Sequence, residues 1–260
     1  MDVLSALCPR PVGTVHLIGA GPGDPDLLTV RAARMIGAAM LIVHDGLVDP
    51  AILALAPAGA RLISVAKARA RHTLVQDDIN ALLVSEALAG HDVVRLKGGD
   101  PLVFGRGGEE AEACRAAGVP VAIVPGISAA MGAAAAAGIA LTHRDAASIV
   151  SFVAGQCKGL AEQDWAGLAG KGRTLVIYMG LATAAAITEK LIGDGLSPAM
   201  PVAVIENATR PTMRVLRGVL AGLDKIVATE RVQSPALIII GEVAARQSAG
   251  YLAQLVESAR

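Results

Sequence analysis

Side chains able to do chemistry are concentrated in one segment, from Val94 to Glu110, which reads Val-Arg-Leu-Lys-Gly-Gly-Asp-Pro-Leu-Val-Phe-Gly-Arg-Gly-Gly-Glu-Glu. Cations and carboxylates lie here among five glycines. A connection between a strand and a helix is usually about 2–6 residues long, and long ordered connections tend to be functional. Glycine allows a backbone to approach another group more closely than a side chain would permit. The segment therefore predicts a ligand-binding loop, with an ordinary strand-to-helix connection as the alternative.

A second group of cations precedes it, in the run Ala-Lys-Ala-Arg-Ala-Arg-His at positions 66–72. Charge runs are usually solvated faces. Arginine, however, pairs bidentately with carboxylates, so a substrate that carries many carboxylates would need such a patch. The candidates for contact with such a substrate are Arg69, Arg71, His72, Arg95, Lys97 and Arg106.

Asp45 follows the apolar run Met40–Val43, at the end of a predicted strand. Aspartate is a favoured N-cap residue, so Asp45 could cap the short helix that follows. It could instead act on a ligand, because ligands of α/β proteins bind at the carboxyl ends of strands. Residue type alone slightly favours the cap.

The first glycine turn argues against a dinucleotide site. After the predicted strand Val15–Ile18 the chain reads Gly-Ala-Gly-Pro-Gly-Asp-Pro-Asp from Gly19. The dinucleotide-binding pattern requires a third glycine at the position of Asp24. Asp24 and Asp26 would put two carboxylates where a pyrophosphate should lie, whereas both are well placed to cap a helix. The turn predicts a ligand without phosphates and disfavours a nicotinamide oxidoreductase.

The elements that must position these residues alternate along the chain. Apolar runs followed by helical patterns are typical of α/β proteins, whose ligands bind at the carboxyl edge of a sheet. The strands predicted in the first half are Val15–Ile18, Met40–Val43, Arg61–Val65, Val93–Leu96 and Val119–Val124. Helices are predicted at 27–36, from Thr73 to Leu88, from Glu109 to the residues before Gly118, and from Ala129 to Ala137 with Ser128 as cap.

A polar break at 141–145 divides the chain into predicted α/β domains at 13–141 and 146–245. The alternation continues beyond the break, although more weakly. Further strands are predicted at Ile149–Val153, Thr174–Met179, Val202–Glu206 and Ala236–Ile240, with helices at 182–192 and 251–258.

Composition limits the kind of partner. Aromatic residues make up 2% of the 260 residues, and single-stranded nucleic acid is bound largely through aromatic stacking. The 23 basic residues balance 23 acidic ones, so no net charge attracts a polyanion or an anionic membrane. Any acidic ligand must therefore be met by a local cluster of cations.

The cysteines and the longest apolar segment favour a cytoplasmic protein. Cys8, Cys114 and Cys157 form no Cys-x-x-Cys pair, which predicts reduced thiols rather than disulfides or a zinc site. The N-terminus lacks the pattern of a secretory signal. The uncharged segment from Gly118 to Thr142 is long enough to imitate a membrane span, but its prolines and glycines predict a strand, a turn and a buried helix instead.

Several of these motifs resemble one family. Arg-Leu-Lys-Gly-Gly-Asp-Pro at 95–101 and Pro-Gly-Ile-Ser-Ala at 125–129 are similar to motifs of the uroporphyrinogen-III C-methyltransferases, which belong to the S-adenosylmethionine-dependent tetrapyrrole methyltransferase family. The resemblance extends from about Gly13 to Glu242. It implies two α/β domains of the tetrapyrrole methylase type with the cofactor in the cleft between them, and a homodimer. It also implies two successive methylations of uroporphyrinogen III, which give precorrin-2 and S-adenosylhomocysteine without a metal.

The resemblance also implies roles for individual residues. Asp45 would be the proton acceptor and Lys67 the proton donor. His44 stands where the family usually has Tyr, and Ala66, Ala68 and Ala70 stand where it often has glycine or arginine. The cofactor would be surrounded by Pro22, Gly98, Gly99, Asp100, Val103, Ser128, Ala129, Met179, Ala208 and Ala236.

Three other functions fit the sequence less well. A methyltransferase acting later in corrinoid assembly is the nearest alternative, and the long match at 95–101 argues against it. A nicotinamide oxidoreductase is disfavoured by Asp24, and a non-enzymatic tetrapyrrole carrier has no use for a methyl-donor site. The sequence leaves open whether the product serves sirohaem, cobalamin or haem d1 synthesis.

Overall fold

The computed structural model describes residues 11–66, 75–156, 165 and 167–246. The chain forms two compact units, Met1–Ser128 and Ala129–Arg260. Each unit is built around its own five-stranded sheet, which confirms the predicted α/β class. The domain limits at 13–141 and 146–245 stay a prediction.

The first unit contains an all-parallel sheet in the order β3-β2-β4-β1-β5. Its strands coincide with the predicted apolar runs to within two residues at each end. They are β1 (Val15–Gly19), β2 (Leu41–His44), β3 (Arg61–Ser64), β4 (Val93–Lys97) and β5 (Val121–Val124). The carboxyl ends of these strands form the edge at which a ligand is expected.

Helices cover both faces of this sheet. They are α1 (Val30–Ala38), α2 (Pro50–Leu53), α3 (Gln76–Leu88) and α4 (Gly107–Ala116). One apolar core packs α1 and α2 against side chains such as Ile18 and Ile42. The other packs α3 and α4 against Leu17 and Val43. Neighbouring residues of a strand point to opposite faces, so the two apolar cores lie on opposite sides of the sheet.

The second unit has a mixed sheet in the order β6-β7-β10-β8-β9, in which only β6 and β7 are parallel neighbours. Its strands are β6 (Ala147–Ala154), β7 (Gly172–Tyr178), β8 (Pro201–Glu206), β9 (Arg214–Val219) and β10 (Ala236–Ile240). Its helices are α5 (Ala129–Ala136), α6 (Ala184–Gly193) and α7 (Leu223–Thr229). The sequence did not predict β9 or α7.

The apolar segment that imitates a membrane span is divided as predicted. Its residues form β5, a loop that contains Pro125 and Gly126, and α5. Within the described ranges, every helix is too short or too polar to cross a membrane.

Candidate functional site

Three glycines bring their backbones together at the carboxyl edge of the first sheet. They are Gly19 at the end of β1, Gly99 in the loop after β4 and Gly126 in the loop after β5. A Cβ atom built on Gly19 would lie 2.5 Å from the Gly126 nitrogen and 2.6 Å from the Gly99 oxygen. A Cβ atom on Gly126 would overlap the Gly99 oxygen. Only glycine fits at Gly19 and Gly126, because the three backbones are in direct contact.

Hydrogen bonds hold these loops together. The Gly21 N–H donates to the Gly99 carbonyl at 3.1 Å, and the Gly99 N–H donates to the Gly21 carbonyl at 2.7 Å. Asp100 Oδ2 accepts from the Gly126 N–H at 3.1 Å, while its Oδ1 accepts from the Leu102 N–H at 2.9 Å. Asp100 therefore joins the loop after β4 to the loop after β5.

Asp24 is a helix cap as predicted, whereas Asp26 is not. Asp24 caps a short 3-10 helix, Pro25–Leu27, by accepting the Asp26 N–H at 2.9 Å. Thr29 caps α1 in the same way. The helix therefore begins later than the predicted 27–36 segment, and the two carboxylates lie in the turn where a phosphate would have to bind.

A buried group of four charged side chains lies beside these loops. Arg95 Nη2 donates to Asp45 Oδ1 at 2.5 Å and to Glu110 Oε1 at 2.9 Å. Lys97 Nζ lies 2.9 Å from Glu110 Oε1 and 3.6 Å from Asp45 Oδ2. The side chains of Arg95, Lys97 and Glu110 are 1%, 3% and 0% exposed, whereas that of Asp45 is 30% exposed. Asp45 is the only member of this group that a ligand could reach easily.

The strand geometry explains why these residues meet. Arg95 and Lys97 are two positions apart on β4, so both side chains point to the face that α3 and α4 cover. Arg95 lies in register with Val43, and the Asp45 N–H donates to the Leu96 carbonyl at 3.2 Å. Asp45 is two positions after Val43, so its carboxylate reaches the same face.

The capping interpretation of Asp45 is wrong. The N-cap of α2 is Asp49, whose Oδ1 accepts the Ala51 N–H at 3.0 Å. The Asp45 carboxylate instead faces the two cations. The neighbouring His44 has its Nδ1 3.1 Å from the Asp45 carbonyl oxygen.

Arg106 lies apart from the buried charges. Its side chain is 55% exposed and forms a bidentate pair with Glu109 at 2.8 and 2.6 Å. The hydrogen bond between them lowers the pKa of Glu109. Arg106 is thus available to an acidic ligand from solvent, whereas Arg95 and Lys97 already have protein carboxylates as partners.

Unusual backbone angles occur in both units after the ends of strands. Among the described residues, positive φ angles occur at six non-glycine positions. Phe104 and Arg106 lie in the loop after β4, and Met179, Asn207 and Thr209 follow β7 and β8. A β-branched residue such as Thr209, at φ 65°, is rare in this region. Strained backbone of this kind clusters at ligand sites.

The second unit carries its own share of the predicted residues. Met179 is 49% exposed directly after β7, Ala208 is half-buried after β8, and Ala236 begins β10. Tyr178 Oη accepts the Ala130 N–H at 3.1 Å, which fixes the end of β7 against the start of α5. Ser128, the last residue of the first unit, is buried and precedes Ala129, the first residue of α5.

The structure describes two of the six remaining candidates. Pro22 and Val103 are half-buried in the loops after β1 and β4. Lys67, Arg69, Arg71 and His72 lie outside the described residues.

The sequence analysis did not single out Glu110, a buried acid in the first turn of α4. Its spacing carried a further signal, because Gly107, Glu110, Ala111 and Cys114 form the buried face of α4. A carboxylate on such a face requires cationic partners.

A cavity of about 740 Å³ lies at the opposite edge of the first sheet. Its lining includes His16, Met40, Arg61 and His91, near the amino ends of the strands. It is therefore separate from the glycine loops and from Asp45.

Comparison with known proteins identifies a family. The pattern of the Tetrapyrrole (Corrin/Porphyrin) Methylases matches residues 14–224. The chain is 52% identical over 234 residues to a siroheme synthase of Tolumonas auensis, and 50% identical over 241 residues to that of Azotobacter vinelandii. These matches cover 90% and 92% of the chain but 50% and 52% of the two relatives, so the chain spans about half the length of the curated relatives it matches.

Two solved structures with similar folds match this chain over almost their whole length. A uroporphyrin-III C-methyl transferase of Thermus thermophilus, complexed with S-adenyl homocysteine, is 39% identical with a TM-score of 0.77, over 90% of this chain and 99% of that one. A cobalt precorrin-4 methyltransferase has a TM-score of 0.79 at 27% identity, over 92% and 99%. The two solved structures resemble this chain about equally in fold. Sequence identity therefore distinguishes between them better than the fold does.

Proposed function

The chain belongs to the Tetrapyrrole (Corrin/Porphyrin) Methylases, and on that premise we propose that it is an S-adenosylmethionine-dependent C-methyltransferase that converts uroporphyrinogen III to precorrin-2. The observation that carries the proposal is the meeting of the Gly19, Gly99 and Gly126 loops beside the partly exposed carboxylate of Asp45. Higher identity to the uroporphyrin-III enzyme than to the cobalt precorrin-4 enzyme favours uroporphyrinogen III over a later corrinoid.

The residues present suit this cofactor. A surface of glycine backbone admits a flat adenosyl group closely, and the carboxylates of Asp24 and Asp26 disfavour phosphates. Asp100 uses one hydrogen bond on each oxygen and, as a carboxylate, retains further acceptor sites. The proposed contacts are those of the resemblance: Pro22, Gly98, Gly99, Asp100, Val103, Ser128, Ala129, Met179, Ala208 and Ala236.

When bound, S-adenosylmethionine supplies an electrophilic methyl group for an electron-rich pyrrole carbon. The protein must align the reacting carbon with that group, and such alignment is worth roughly 7–11 kcal/mol. Acid or base help contributes about 10²–10⁴-fold, or roughly 3–5 kcal/mol. Positioning therefore dominates. We assign the later removal of a proton to Asp45 and proton donation to Lys67.

Cations at the surface would bind the acidic side chains of the substrate. Arg106 is exposed and has only a surface carboxylate as its recorded partner. Arg69, Arg71 and His72 are proposed for the same role on the basis of their sequence. Arg95 and Lys97, also candidates from sequence, are buried and paired inside the protein.

We also propose a cytoplasmic homodimer, as the family resemblance implies. The buried free thiol of Cys114 is consistent with a reducing compartment. Analytical ultracentrifugation at several protein concentrations tests the assembly, and a single species with the mass of one chain would overturn it.

The test of the proposed function uses purified protein, uroporphyrinogen III and S-adenosylmethionine labelled in its methyl group. We expect label in a dimethylated product and formation of S-adenosylhomocysteine. Transfer to a later corrinoid intermediate but not to uroporphyrinogen III would favour the alternative. Binding of NAD without binding of S-adenosylhomocysteine, measured by calorimetry, would overturn the assignment to a methyltransferase.

A further inference from the structure

Glu110 is a fully buried carboxylate. Its recorded hydrogen-bond donors all contact the same oxygen. Its Oε1 accepts from Arg95 Nε at 3.1 Å, from Arg95 Nη2 at 2.9 Å and from Lys97 Nζ at 2.9 Å. Gln76 Nε2 lies at 3.4 Å. A buried carboxylate is costly unless it is paired, so this arrangement requires both cations to stay in place.

The same two cations also contact Asp45. Arg95 Nη2 donates to both carboxylates, and Lys97 Nζ lies within 4 Å of both. Two positive and two negative charges thus balance. Without the charge of Glu110, both cations would have Asp45 as their sole recorded carboxylate partner, and no charge on α4 would fix the position from which they hold Asp45.

Rigid elements hold Glu110 in position. It lies in the first turn of α4, where its N–H donates to the Arg106 carbonyl at 3.3 Å. The helix packs against α3 and against β1 through Ala111 and Cys114. A group fixed in this way can orient its partners without touching a ligand.

We propose that Glu110 is a positioning residue, which sets the place of the Asp45 carboxylate through Arg95 and Lys97. The inference rests on the proposed function, in which Asp45 takes the proton. A displacement of about 1 Å in a reacting group can cost about 10²-fold in rate. The role of Glu110 is therefore to fix the two cations that hold the base.

The first test is Glu110→Gln, which keeps the shape and removes the charge. We expect kcat for methyl transfer to fall by about 10²-fold, with the affinity for S-adenosylhomocysteine unchanged. Glu112→Gln is the matched control, because Glu112 lies on the exposed face of the same helix. Equal kcat values for Glu110→Gln and wild type would overturn the inference.

A double-mutant cycle separates positioning from a general structural role. If Glu110 acts through Asp45, Glu110→Gln should cost little more once Asp45→Asn is present. The same fold loss in both backgrounds would overturn the inference. Wild-type protein that transfers no methyl group to uroporphyrinogen III would instead contradict the proposed function, so the two failures differ.

A second variant tests the inference if Glu110→Gln does not fold. Glu110→Gln combined with Lys97→Met leaves one cation, Arg95, opposite one carboxylate, Asp45. We expect this neutral pair to fold and to turn over slowly, because Arg95 is no longer held from the side of α4. Wild-type kcat in the double variant would overturn the inference.

Discussion

Arg95 Nη2 lies 2.5 Å from Asp45 Oδ1, which joins two residues 50 positions apart in the sequence. Arg95 is almost completely buried, whereas the Asp45 side chain is 30% exposed. The pair therefore connects the interior of the first unit to a carboxylate that a ligand can reach. It also changes what a substitution at Asp45 measures, since Asp45 is a partner of buried cations and not a helix cap.

Asp45→Asn should lower the turnover of uroporphyrinogen III by roughly 10²–10⁴-fold, because the amide cannot accept the proton. It should also lower the free energy of unfolding by roughly 1–3 kcal/mol, since a buried charged hydrogen bond is weakened. Affinity for S-adenosylhomocysteine should be retained. Kinetics, calorimetry and urea unfolding measure the three quantities. Full turnover would assign deprotonation to solvent or to another group.

Gly126→Ala should abolish binding of S-adenosylhomocysteine, because the added methyl would overlap the Gly99 oxygen where the loops meet. Gly126 is more informative than Gly99, which has a φ of 68° that strains any side chain. Gly37→Ala is the control. Gly37 lies in α1 with no backbone conflict, so alanine should stabilise the protein by about 0.5–1 kcal/mol and leave binding intact. Wild-type affinity in folded Gly126→Ala would contradict the crowding argument.

Lys67→Ala and Arg71→Ala should affect different kinetic constants. Loss of a proton donor should lower kcat at saturating substrate, whereas loss of one of several carboxylate contacts should mainly raise KM. Both residues lie outside the described part of the chain, so this prediction rests on sequence and family resemblance. Identical changes in both constants for the two variants would remove the distinction between them.

Glu206 should make the second unit sensitive to acid. Burial disfavours its charged form, but hydrogen bonds from Arg214 Nε at 2.5 Å and from the Gln233 N–H at 2.7 Å outweigh that effect and lower its pKa below the ordinary 4.5. The unfolded chain therefore takes up the proton first as pH falls. The stabilisation is complete above about pH 4.5 and is lost as pH falls through the lower pKa of the folded state.

The measurement compares the free energy of unfolding of wild type and Glu206→Gln from neutral to acid pH. The difference should be largest at neutral pH and should shrink below the ordinary glutamate pKa. Glu189→Gln, on the exposed face of α6, is the control and should show no such dependence. A constant difference across the whole range would show that Glu206 contributes packing rather than charge.

Local signals identified most of the fold. Apolar runs predicted nine of the ten strands, and the most deeply buried of them, such as β2 and β10, are continuous in Val, Ile and Leu. The strand β9 was missed because it is partly exposed and carries Arg214, Arg217 and Gly218 in six residues. The seven-residue helix α7 was missed because it is too short to give a clear helical period.

The sequence alone determined that a glycine-rich loop follows β4 and that Asp24 caps a turn whose carboxylates disfavour a phosphate. It also determined that the motifs resemble those of tetrapyrrole methyltransferases. These features depend on neighbouring residues, so they can be read along the chain. Only the tertiary structure decided the partners of Asp45 and the burial of Glu110. Those contacts depend on the register of β2 against β4 and on the packing of α4. Charges 15 and 50 positions apart become partners only when folding excludes water between them.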